Sequence, residues 1–291
     1  MTTFQILLFY YYGELPDAQA ITEWQRQLCT DLGLTGRLLI GEEGINGTLE
    51  GTLEATEQYV EALRSDNRFT SVDMKRSVGT GNAFPKLSVK YRPEIVGANL
   101  GEEDFNPAEF TAPYITAEEL HEWIQSKKEF YIVDMRNSYE HACGHFEGSI
   151  LPPMRYFREL PDILPTLEHL RDKTVVTVCT GGVRCEKASG YLLKKQFREV
   201  YQLYGGIVTY MEKYPNQDFL GKLYVFDGRV TMGFETDSPN HVVMGRCKHC
   251  GKPSDHFVND DGDPARPHFI CCEECAAAHP LYAAAGRPET L

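Results

Sequence analysis

The chain has 291 residues, 42% apolar and 24% charged, the proportions of a soluble globular protein with room for two or three domains. Its net charge of −13 excludes nucleic-acid binding by bulk charge, though not a local basic face. Nine cysteines without a secretory leader point to reduced thiols and metal ligands rather than a disulfide scaffold, and so to the cytoplasm.

The opening MTTFQILLFYYYGELPD holds an apolar run too short to span a membrane and lacks the basic flank of a signal peptide. Within it, residues 4–12 read as a strand. Ile21, Trp24, Leu28 and Leu32 recur at helical spacing and predict an amphipathic helix over 17–32. Strands are expected over 36–40 and 45–49, then a helix over 52–65 with Thr52 as its N-cap, then strands over 72–78 and 87–91. The order β-α-β-β-α-β predicts a ferredoxin-like α+β domain with one extra strand, over residues 1–97. Its GEEGIN segment, residues 41–46, joins two strands through glycines and reads by itself as a hairpin loop. From Arg64 to Arg92, seven basic residues stand against two acidic ones. This stretch is either a solvated edge that protects strands from aggregation or a contact for an RNA backbone. Lys86, Lys90 and Arg92 are the candidates for the second.

Residues 98–114 show no periodicity and read as a linker to a second domain over 115–217. Thr116 and Glu119 form a capping box for a helix reaching about residue 126. Residues 130–134, FYIVD, read as a buried strand. Residues 157–169 are helical but interrupted by Pro161 and Pro165. Val175, Val176, Thr177 and Val178 form a short unbroken apolar run, the mark of a buried parallel strand. A helix follows from about 184 to 196, then a strand over 199–203 and a helix opened by Gly205-Gly206 and running to about 214. The alternation predicts an α/β domain, a parallel sheet with helices on both faces.

Between the 175–178 strand and its helix lies Cys179-Thr180-Gly181-Gly182-Val183-Arg184. A strand that turns directly into a helix leaves backbone N–H groups pointing into the turn. Gly181 and Gly182 let the turn bend tightly and gather those amides into an anion cradle. The anion here is the Cys179 thiolate, or a charged sulfur carried on it. Amides, helix dipole and Arg184 all favour the charged form, so a lowered thiol pKa is expected.

Residues 218–291 are less regular. A small hairpin over 223–226 and 230–233 precedes Cys247-x-x-Cys250 and Cys272-x-x-Cys275, with twenty-one residues between the pairs. Four thiolates on two knuckles predict a closed tetrahedral zinc site, structural because no ligand position stays open. Cys271 is spare, and His249, His256 and His268 are alternative ligands. So small and polar a segment would draw its folding energy from the metal.

The Cys179 loop resembles the Cys-x-x-Gly-x-Arg loop of the rhodanese superfamily, with Cys179, Gly182 and Arg184 at the defining positions. Four residues separate Cys179 from Arg184, against five in the related cysteine phosphatases, which resembles the sulfur-handling version. Asp134, Arg136, Glu140, Gly144 and His145 resemble the other rhodanese signature. Asp134 and Arg136 are expected to brace the loop, and His145 to be a packed turn histidine. With GEEGIN, DMRN, GHFEGS, CTGGVRCEKAS and the terminal cysteines taken together, nearly the whole chain resembles the rhodanese-domain tRNA uridine hydroxylase family. Members of that family make 5-hydroxyuridine at the wobble position in an oxygen-dependent reaction.

That resemblance implies tRNA, through its anticodon loop, as substrate, molecular oxygen as co-substrate and Cys179 as the reactive thiolate. Thr180, Gly181, Gly182 and Val183 would form the cradle, and Cys185 would be a second thiol that resolves a disulfide or positions the substrate. Attack of Cys179 on C6 of a splayed-out uracil would make C5 electron-rich enough to react with oxygen. No organic cofactor site is evident in the sequence. Two other readings stay open: a sulfurtransferase passing sulfane sulfur to a thiol acceptor, and a non-catalytic RNA-binding module.

Overall fold

The computed structural model of the protein describes residues 3–284, so the last seven positions of the expected 218–291 segment lie outside the described residues. The chain divides into two compact units, residues 1–97 with 104–110, and residues 98–103 with 111–291.

In the first unit, β1 (Phe4–Tyr12), α1 (Ala18–Asp31), β2 (Thr35–Gly41), β3 (Gly44–Thr52), α2 (Leu53–Arg64), β4 (Lys75–Gly79) and β5 (Leu87–Tyr91) follow in chain order. The sheet order is β4-β1-β3-β2-β5, with only β5 parallel to its neighbour. This is the expected ferredoxin-like arrangement with its extra strand at an edge. Alternate strand residues Leu7, Phe9, Leu38, Ile40 and Leu49 pack with Ile21, Tyr59 and Leu63 of the two helices into one core. Thr52 caps α2, its hydroxyl accepting from the Ala55 N–H at 3.2 Å. The expected strand over 72–78 begins later, because Val72 and Met74 turn into the core before β4 starts. The buried Glu50 carboxylate gathers the N–H groups of Thr80, Gly81 and Ala83 at 2.7 to 2.8 Å and so fixes the loop before β5.

The second unit opens with β6 (Tyr114–Ile115), α3 (Ala117–Gln125), β7 (Tyr131–Asp134), α4 (Ser138–His141) and β8 (Gly144–Phe146). There follow α5 (Leu160–Leu167), β9 (Thr174–Val178), α6 (Val183–Lys194), β10 (Glu199–Leu203) and α7 (Gly206–Lys213). The main sheet is parallel, ordered β6-β10-β9-β7. Val176, Val178 and Leu203 meet α3 and α7 on one face, while α6 packs on β9 and β10. The expected helical stretch over 157–169 divides into a 3₁₀ turn (Phe157–Glu159), α5 and a second 3₁₀ turn (Glu168–Leu170), but it does not break at Pro165. Pro161 sits in the first turn of α5, where its missing N–H costs nothing, and Pro165 forgoes a single bond inside a continuous helix.

Beyond α7, β11 (Phe219–Gly221) pairs antiparallel with β8, and β12 (Leu223–Tyr224) pairs with β13 (Thr231–Met232). The remaining strands, β14 (Phe257–Asp260), β15 (His268–Ile270) and β16 (Tyr282–Ala284), form a small sheet around α8 (Glu273–Ala277). Among the described residues no helix is long and apolar enough to cross a membrane.

Candidate active site

Strand β9 ends at Val178, and Cys179 follows at the C-terminal end of the parallel sheet. The turn closes through Gly182, the N-cap of α6, whose φ of 107° is open to glycine but strained for a side chain. Its N–H points at the Cys179 sulfur at 3.2 Å. A second helix supports the loop from behind. The N–H groups of Ile207 and Val208 in the first turn of α7 donate to the carbonyls of Cys179 and Thr180 at 2.9 and 3.1 Å. A Cβ on Gly206, which itself has φ +71°, would meet the Cys179 carbonyl oxygen, Gly181 and Gly182 at 2.7 Å, so only glycine fits there.

Arg184 is held by Glu140 of α4. Its Nη1 donates to Oε1 at 2.5 Å and its Nη2 to Oε2 at 2.9 Å, with a further bond to the Thr180 hydroxyl at 3.1 Å. The Glu140 side chain is fully buried. Its Oε1 also accepts from the Asn137 N–H at 2.9 Å, completing a capping box. Glu140 appears in the sequence as a signature position without a role. The Asn137-x-x-Glu140 spacing is a local cap signal that the sequence reading misses, whereas nothing local signals the reach to Arg184. On the other side of the guanidinium, the ring of Phe226 lies at 5.7 Å.

Burial pushes the Cys179 thiol up. The Cys185 thiol bonded to it, the Arg184 charge and the N–H groups of Cys185 and Gly182 outweigh that effect and bring it down to about 6. Cys185 moves the other way, well above the ordinary thiol value, through its own burial and the neighbouring Cys179 sulfur. Of the two sulfurs, Cys179 is therefore the one favoured as thiolate and Cys185 the one favoured as thiol. The rate of Cys179 alkylation is accordingly expected to level off well below the pH at which a free thiol ionises. Replacing Cys185 by Ala removes a donor and should move that inflection upward. Iodoacetamide kinetics across pH 5 to 9 check both, and an inflection at the ordinary thiol value would contradict the cradle.

The cradle is closed to solvent, with Cys179 and Cys185 both 0% exposed. The chain after α7 folds back, placing Phe226 against Arg184 and Tyr224 edge-to-face with Tyr139, the neighbour of Glu140. Asp134 and Arg136 also act one step away from the loop. They form a fully buried ion pair, with Arg136 Nη2 at 2.6 Å from Asp134 Oδ2 and 2.8 Å from the Gly144 carbonyl oxygen. Burial raises the Asp134 carboxyl, but the Arg136 charge and the His141 hydrogen bond hold it well below the usual carboxylate range. The pair fixes the segment from which Glu140 projects. His145 bonds through Nδ1 to the His141 carbonyl at 3.1 Å. Lys86, Lys90 and Arg92 are exposed on and beside the edge strand β5 in the first unit.

The sulfurs of Cys247, Cys250, Cys272 and Cys275 all lie within 4.8 Å of one another, so the cluster could hold a metal ion. A tetrahedral Zn–S₄ site would separate its sulfurs by ~3.8 Å, and Cys250 and Cys272 are 3.6 Å apart. The N–H groups of Cys250 and Cys272 point at the Cys247 sulfur and favour its thiolate. The donor set therefore fits the ion. None of the three alternative histidines joins it. His256 Nδ1 donates to the Cys271 carbonyl at 2.8 Å, His268 lies between Tyr224 and Asn259, and His249 stacks on His279 and Tyr282.

The parallel sheet and the cysteine loop at its end define a rhodanese-like protein, and the rhodanese-like domain model matches residues 116–213. A UPF0176 acylphosphatase-like domain model matches residues 4–95, and a rhodanese C-terminal model matches 220–283. A tRNA uridine(34) hydroxylase of Cytophaga hutchinsonii is 39% identical over 94% of this chain and 86% of its own length. Proteins of the same name from Bacillus pumilus and Staphylococcus saprophyticus are 42% and 40% identical, over 93% and 95% of this chain and 84% and 87% of theirs. The chain belongs to the tRNA uridine(34) hydroxylase family.

Proposed function

We propose that this protein hydroxylates C5 of uridine 34 in the tRNA anticodon loop, with Cys179 as nucleophile and molecular oxygen as co-substrate. The observation that carries this reading is a thiol favoured as thiolate by the Gly182 and Cys185 N–H groups, the Cys185 thiol and Arg184 at a sheet's end, in a chain whose relatives of that name match it over 84–87% of their length. In this reading Cys179 adds to C6 of the uracil and raises electron density at C5. One oxygen atom enters at C5, the C5 proton leaves, and expulsion of the thiolate restores the ring. The other oxygen atom leaves as water with two electrons and two protons, which closure of a Cys179–Cys185 disulfide would supply. Arg184 shapes the cradle and Cys185 donates to the Cys179 sulfur. Since Cys179 is fully covered, the base reaches it only after the covering side chains move aside. With tRNA as substrate, the protein works in the cytoplasm.

The exposed Lys86, Lys90 and Arg92 supply phosphate contacts in the same reading. Neutralising all three should weaken tRNA binding and flatten its salt dependence, as titrations at several salt concentrations would show. Unchanged affinity and slope would remove them from the account.

The four terminal cysteines hold one structural zinc ion. Metal release by a thiol-modifying reagent should yield one equivalent of zinc. It should also abolish amide-exchange protection in β14 and β15, because so small a sheet has little core of its own. A purified protein with no bound metal and full protection would contradict this assignment. The hydroxylase reading itself is tested by incubating the purified protein with an anticodon stem-loop in air and digesting the product to nucleosides. Formation of 5-hydroxyuridine supports it. Its absence, beside robust sulfur transfer from thiosulfate to cyanide, would favour a sulfurtransferase.

A further inference from the structure

The segment Arg155-Tyr156-Phe157-Arg158 lies between β8 and α5 and has no part in the chemistry above. Arg155 and Arg158 are both exposed, and their guanidinium carbons lie 5.3 and 4.8 Å from the centre of the Tyr156 ring. Both cations are thus gathered on one aromatic side chain, an arrangement that limits the conformational freedom of otherwise mobile arginines. The nearest carboxylate on the segment, Glu159, accepts instead from the Arg155 backbone N–H at 2.7 Å. Other basic side chains of this unit are paired, Arg171 with Glu168, Lys173 with Glu129 and Lys213 with Glu118. Among the described residues, neither Arg155 nor Arg158 has such an ion pair. In a chain of net charge −13, two guanidiniums on one ring without an ion pair form a local positive field.

Their position ties that field to the reactive loop. The Phe157 N–H donates to Asn137 Oδ1 at 2.8 Å, and the Ser138 N–H donates to the Met154 carbonyl at 2.8 Å. The segment therefore docks on the first turn of α4, whose Glu140 holds Arg184. Asn137 Nδ2 in turn donates to the Tyr139 hydroxyl at 2.7 Å. Hydrogen bonds through Asn137 thus join the arginine segment to the helix whose Glu140 holds Arg184.

We propose that Arg155 and Arg158 form a phosphodiester-binding rim for the anticodon loop, holding the backbone of the strand whose base enters the Cys179 cradle. This rests on the tRNA reading above. An RNA backbone is the occupant that fits, because the cations are planar, paired on one ring and set beside a site that must receive a single extruded nucleotide. Tyr156 is the positioning residue that gathers both guanidiniums on one ring.

The test is the salt dependence of binding to a fluorescent anticodon stem-loop. For a single-stranded contact each phosphate adds about 0.7 to the slope of log affinity against log salt, so Arg155→Ala with Arg158→Ala should lower the slope by about 1.4. KM for the stem-loop should rise in parallel. The Arg155→Lys with Arg158→Lys pair keeps the charges and should restore most of the slope, which a variant that had merely misfolded would not show. A slope and affinity equal to those of the wild type would overturn the inference. So would an equal loss of slope for an unrelated duplex of the same length, since that would mark general charge attraction. If the wild-type protein makes no 5-hydroxyuridine at all, the functional reading fails. If it does and the alanine pair binds unchanged, only the rim fails.

Discussion

Cys179→Ser should abolish 5-hydroxyuridine formation, by at least about 10³-fold, while tRNA affinity stays near that of the wild type. The cradle explains the size of the effect. The Gly182 N–H, the Cys185 thiol and the Arg184 charge act together to keep a thiol ionised although it is fully buried. A hydroxyl in the same place remains protonated at any pH the protein tolerates, so the same donors find no anion to stabilise. The steric change is small and the loop is pinned from outside by Ile207, Val208 and Glu140, so the fold should persist. Nucleoside analysis of a treated stem-loop gives the rate, and fluorescence titration gives the affinity. Retention of more than a tenth of the activity would remove Cys179 from the chemistry.

Glu140→Ala should cost about 3–5 kcal/mol of stability, the usual penalty for leaving one partner of a buried ion pair uncompensated. The Arg184 and Glu140 side chains are 9% and 0% exposed, so water cannot take over the lost bonds. The same change leaves the Asn137 N–H and the Thr180 hydroxyl without the acceptor they share. Glu140→Gln keeps the amide oxygen for the cap and should lose less. Urea unfolding of the three proteins separates these cases. A loss below about 1 kcal/mol for the alanine variant would show that Arg184 finds another partner or reaches solvent.

Much of the fold was legible because its elements are locally encoded. The apolar run Val175–Val178 is too short for a helix and is followed by Gly181-Gly182, which marked both the buried strand and the turn after it. Thr116 with Glu119 and Thr52 announced their helices through caps that use neighbouring residues only. What escaped the sequence is long-range. Glu140 and Arg184 are 44 positions apart, and Glu50 reaches 30 to 33 positions forward to the loop it fixes. The return of the chain after α7, which sets Phe226 against Arg184, is recorded by no periodicity in that segment. Pro165 misled in the opposite sense, because one lost hydrogen bond is outweighed when Ile163 and Leu167 of the same helix are buried. The cysteine cluster was legible in its spacing, yet the exclusion of His249, His256 and His268 needed their actual partners.

The account turns on a thiolate that modifies one base of tRNA. The most direct measurement is mass spectrometry of nucleosides from tRNA of cells lacking the gene, complemented with the wild-type protein or with Cys179→Ser. The account predicts that 5-hydroxyuridine disappears on deletion, returns with the wild type and stays absent with the serine variant. Undiminished 5-hydroxyuridine in the deletion strain, or its full return with the serine variant, would contradict it.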